Sequence, residues 1–110
     1  MPDRHAAQYL LQAQPANGNG VPVRCTSSVK TITGSLPGGT GSCTIAFMGA
    51  EEFSDGTIGA YADLGVSMSL SSTKTSDKFT TPPNAITWLY AVVASLAGGA
   101  TPTATVAGVD

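Results

Sequence analysis

The stretch Ile86-Thr87-Trp88-Leu89-Tyr90-Ala91-Val92-Val93-Ala94 limits the possible folds more than any other part of the chain. It is too short for a membrane helix and reads as a strand apolar on both faces. A strand of that kind must be covered on two sides, by its own domain or by a neighbour. Gly98-Gly99 and the alternating run Thr103-Ala104-Thr105-Val106-Ala107 follow it, giving a second strand after a tight turn.

The rest of the chain supplies short strands separated by turn residues. Val21-Pro22-Val23-Arg24-Cys25 is a short edge strand, since proline cannot donate to a ladder. Val29 to Thr33 alternates, and Gly34-Ser35-Leu36-Pro37-Gly38-Gly39-Thr40-Gly41 is a turn cluster. Cys43, Ile45 and Phe47 form the core face of a central strand, and Val66, Met68 and Leu70 form that of another. Between them, Glu51-Glu52-Phe53-Ser54-Asp55-Gly56-Thr57 reads as a solvated acidic loop turning at Asp55-Gly56. Pro82-Pro83-Asn84 breaks the chain before the C-terminal pair of strands. The pattern predicts one all-β domain, an antiparallel β-sandwich of jelly-roll type. Residues 1–14 form an extended N-terminal arm or first strand, and residues 15–110 form the sandwich.

With 110 residues, the chain can build a core without metal or disulfide staples. Only 11% of its residues are charged, against about 25% in an ordinary soluble domain. So sparse a charge coat fits either a surface that meets other protein or a monomer coated with serine and threonine. The five basic residues are scattered, which argues against nucleic-acid binding. Met1 to Gln12 has no apolar signal region and no segment suits a membrane, so folding in the cytosol is expected. There Cys25 and Cys43 are expected to be reduced, although whether they pair depends on whether their strands are neighbours.

The residues for catalysis are not assembled by any spacing. His5 is the lone histidine and lies near the chain's start, away from any orienting partner. No serine lies in a nucleophile elbow. Glu51, Glu52, Asp55 and Asp63 do not have the spacing of a calcium loop. The expectation is no catalytic residue, no metal and no cofactor. Trp88 and Tyr90 share a face and would serve as a sugar platform or an interface hot spot if exposed, and as core if buried.

The order of parts resembles the small β-sandwich structural proteins of tailed bacteriophages. The match rests on the leucine-rich opening, the glycine-rich turn, the acidic loop with Ser54-Asp55-Gly56-Thr57, Asp63-Leu64-Gly65, and the Trp88 to Val93 strand before Gly98-Gly99. It runs from about Leu10 to Val106. Tyr61 stands where such proteins tend to carry tryptophan, and Tyr90 where they often carry arginine. The resemblance implies a non-enzymatic virion component, foremost a head decoration (cement) protein. Such a protein is assembled in the host cytoplasm and sits on the capsid surface against the major capsid protein, with a homotrimer expected. Neck, tail or baseplate structural roles and a carbohydrate-binding adsorption module are the alternatives. On this reading Tyr9, Leu10 and Leu11 of the arm would contact a partner. Trp88 and Tyr90 would face inward, leaving Leu89, Ala91 and Val93 as an outward interface.

Overall fold

Two antiparallel sheets face each other in the computed structural model, which describes residues 4–81 and 85–109. The expected break at Pro82-Pro83-Asn84 and the first three residues of the arm lie outside the described residues. The strands are β1 (Arg4–Leu11), β2 (Gly18–Asn19), β3 (Val23–Arg24), β4 (Val29–Ser35), β5 (Ser42–Ala50), β6 (Ala62–Ser71), β7 (Ser76–Thr80), β8 (Trp88–Ala97) and β9 (Thr103–Val109). The first sheet has the order β1-β9-β4-β7. The second runs β2-β8-β5-β6, with β3 also paired to β8. The chain passes from one sheet to the other after β1, β3, β4, β6, β7 and β8, so consecutive strands build both layers together. This is the all-β sandwich that the strand pattern predicts.

Alternation works as expected where one face is clearly apolar. Cys43, Ile45 and Phe47 of β5 are buried, as are Met68 and Leu70 of β6. From the first sheet, Ile32, Ala104 and Val106 meet them in one core. The Phe79 ring packs edge-on against Phe47, with centroids 5.7 Å apart. Gly98 and Gly99 take positive φ at the β8–β9 turn, and Gly41 must be glycine, because a Cβ there would collide with the Ala97 carbonyl. Cys25 and Cys43 are both buried and unbridged.

Two expectations are reversed. In β8, Leu89, Ala91 and Val93 point inward and are essentially inaccessible, while Trp88, Tyr90 and Val92 lie half-buried on the outer face. Register explains this: Val93 stands opposite Ile45 and Ala91 opposite Phe47, so the core face of β5 draws its partners inward. Small Ala91 leaves room for Phe47, and the outer face leaves the Trp88 N–H free to find a polar partner.

The second reversal concerns the arm. β1 pairs with β9 from Arg4–Val109 to Leu11–Ala104, and Leu10 and Leu11 are both buried. Two successive side chains point inward because the register shifts between Tyr9 and Leu11. Leu10, Leu11, Leu89, Ala91 and Val93 therefore belong to this chain's own core and leave no surface for a partner. Of the six expected interface residues, Tyr9 alone is exposed, at 55%.

Irregular pairing recurs at the opposite side of the molecule. Between the pairs Ala46–Ser67 and Met48–Asp63, β6 advances further than β5, with Gly65 at φ 79° in the bulge. An apolar cleft of about 450 Å³ opens where β6 and β7 border the sandwich, lined by Leu64, Val66, Phe79, Ile86 and Leu89. Lys30, on the inward face of β4, lies at this cleft and is only 1% exposed. Its Nζ donates to the Ser27 carbonyl, and burial pulls its pKa down.

Candidate functional site: a pinned surface hairpin

Residues 51–61 link β5 to β6 within the second sheet, and the expected solvated loop is an ordered hairpin that turns at Asp55-Gly56. Glu52 and Ile58 bridge, the Phe53 N–H donates to the Thr57 carbonyl at 2.8 Å, and the Gly59 N–H donates to the Glu51 carbonyl at 2.8 Å. At the tip, Asp55 Oδ1 accepts from the Thr57 N–H at 3.0 Å and from its hydroxyl at 2.6 Å. Those bonds favour the ionised carboxylate and lower the Asp55 pKa. Gly56 closes the turn at φ 88°, a conformation that disfavours any side chain.

The base of the hairpin is tied to the sheet by charge and aromatic contacts. The Arg24 guanidinium donates through Nε and Nη2 to both oxygens of Glu52, each at 3.0 Å. The Trp88 indole N–H donates to Glu52 Oε1 at 2.9 Å. Arg24 and Trp88 are register partners on β3 and β8, so the sheet itself sets the spacing that grips the carboxylate. A bidentate arginine with a second donor is a rigid arrangement. The Arg24 bonds and then the Trp88 bond hold the Glu52 pKa below its ordinary value, and Glu52 in turn raises that of Arg24. The other leg is held by Tyr61, whose ring meets Tyr90 edge-on with centroids 4.8 Å apart. Burial pushes the Tyr61 hydroxyl pKa up.

Everything from Phe53 to Ile58 is exposed. Phe53 is 54% accessible and Ile58 43%. Paired positions share a side of a hairpin, so Ile58 lies on the Glu52 side and Phe53 on the other. A hollow of about 320 Å³ lies beside Phe53, lined by Ala50, Gly59, Ala62 and Ile86 among others. The result is a stiff finger with one apolar residue on each flank and acidic Glu51 and Asp55 along it. Among the described residues, neither carboxylate has a cationic partner.

Trp88 and Tyr90 are neither fully exposed nor in the core. Both are half-buried on the outer face, where they hold the hairpin. Sequence reasoning missed Glu52 because its partners lie 28 and 36 positions away. The available signal was that a half-exposed tryptophan usually finds an acceptor for its N–H. Among the described residues, His, Cys, Asp and Glu form no group suited to a metal ion. The other large exposed apolar residues among those described, Tyr9 and Val21, line a separate hollow at the β1 end.

The fold defines the class: an antiparallel β-sandwich of two sheets closed around one core. No protein-family model matches the chain, and no curated protein matches its sequence. Among solved structures, the chain is similar to the SPBc2 prophage-derived protein YomS, with a TM-score of 0.63 and 13% identity, over 98% of this chain and 96% of that one. It also aligns with the CBM22-1 xylan-binding domain of Xyn10C from Paenibacillus barcinonensis, at a TM-score of 0.40 and 14% identity, over 88% of this chain and 64% of that one.

Proposed function

We propose that this chain is a virion structural protein of the decoration type, one that binds the shell built by the major capsid protein and stabilises it without catalysis. The pinned hairpin carries this reading. A finger held by four contacts at its base, yet bare from Phe53 to Ile58, has its ordering cost already met by its own chain and retains apolar surface for another protein. The sequence resemblance to phage sandwich proteins supports the same reading, as does a fold shared end to end with a prophage-derived protein. The sparse charge fits a surface that works against other protein. On this reading the chain sits on the outer capsid surface, and a trimer at threefold positions is the expected assembly.

Copy number tests the proposal. Densitometry of purified particles should give hundreds of copies per virion, and shells lacking the protein should disassemble at lower temperature. A dozen copies or fewer would move the protein to the neck or tail.

A further inference from the structure

We infer that the hairpin of residues 51–60 is the shell-docking element, and that it inserts into a socket with apolar walls and a basic rim. The identity of the partner rests on the decoration reading; the assignment of the surface rests on the geometry. Phe53 and Ile58 lie on opposite flanks of the finger, so a flat partner surface would cover only one of them. A socket covers both. The hairpin is already ordered by the Glu52 anchor and the Asp55–Thr57 turn, so insertion loses little conformational entropy.

Charge selects the occupant. Glu51 and Asp55 lie along the finger, and the hydrogen bonds to Asp55 favour its ionised form. A second copy of this chain carries a net charge of −2 and only five scattered basic residues, so it offers a poor basic rim. A partner with lysine or arginine around an apolar socket satisfies both features. The other exposed apolar pair, Tyr9 and Val21, is a separate surface and serves as an internal control.

The test measures binding of the full chain to shells assembled from the major capsid protein of the same genome. Phe53→Ser and Ile58→Ser should each weaken binding by about tenfold or more. Both side chains are exposed, so melting temperatures should stay near the parent value. Asp55→Asn and Glu51→Gln should slow association and flatten its salt dependence. Tyr9→Ser and Val21→Ser should bind as the parent does. Unchanged binding by the finger variants, with loss in the Tyr9 or Val21 variants, overturns the docking assignment and leaves the decoration reading intact. Failure of the parent chain to bind shells overturns both. If Phe53→Ser instead abolishes self-association, the occupant is a second copy and the socket assignment is wrong.

Discussion

The N-terminal strand and the 51–61 hairpin exchange the roles that their sequences suggest. Leu10 and Leu11 belong to a stretch that reads as an extended arm or a first strand reaching a partner, yet both are closed into this chain's own core. Glu51 to Thr57 reads as a solvated loop turning at Asp55-Gly56, and it is also held at both legs and shaped at its tip. The difference teaches that partner contact is better sought in a segment that is ordered and bare than in one that is merely terminal. β1 is ordered because it is covered, and the hairpin is ordered while staying uncovered.

The strongest way to break that contrast is to remove β1. Deleting residues 1–14 should unfold the sandwich, read as loss of the cooperative thermal transition in circular dichroism. Leu10→Ala alone should cost about 2–5 kcal/mol in a denaturant titration. A truncated protein that still melts like the parent would restore the extended arm.

At the hairpin, the expected effect is smaller and local. Trp88 is the lone tryptophan, so its fluorescence reports on the Glu52 anchor. The Glu52 pKa is lowered on folding, so its contribution is present above the ordinary glutamate range and is lost as pH falls through the depressed value. An acid titration of the fluorescence should show a transition below that range. Arg24→Ala removes the largest cause of the shift and should move the midpoint upward. An unmoved midpoint would mean that the Arg24 pair does not hold the finger.

Lys30, inaccessible to solvent beside the cleft, gives the smallest effect. Lys30→Met should be neutral or modestly stabilising, within about 2 kcal/mol, because the charged form no longer has to be buried. The Lys30 pKa is depressed on folding, so the parent should gain stability from this group as pH rises from the depressed value toward the ordinary lysine value. Subtracting the Lys30→Met stability profile from that of the parent isolates this slope.

Where one face of a strand is polar, the sequence states its orientation. Cys43, Ile45 and Phe47 had to face inward, as did Met68 and Leu70, and the glycine clusters had to turn. β8 gave no such contrast, because Trp88, Tyr90 and Val92 are as apolar as Leu89, Ala91 and Val93. Its orientation is set by register with β5, a long-range fact. β1 hid its place because a register shift turns two adjacent leucines inward and defeats alternation. The Glu52 anchor was illegible for a related reason: Arg24, Glu52 and Trp88 become neighbours only once β3 has paired with β8.

The bulges have a consequence for the chain at high concentration. Each long outer strand departs from regular pairing: β1 shifts register between His5 and Gln8 and again before Leu11, and β6 bulges around Gly65. The short β7 instead carries Lys78 and Asp77, the latter paired with Lys74. A regular ladder would let a crowded solution of this weakly charged chain stack edge to edge into fibres. Here much of the protection resides in backbone shape. Exchanging surface charges away from β7 and the hairpin should therefore leave solubility unchanged, whereas a variant that straightens β6 at Gly65 should stay folded yet precipitate as its concentration rises.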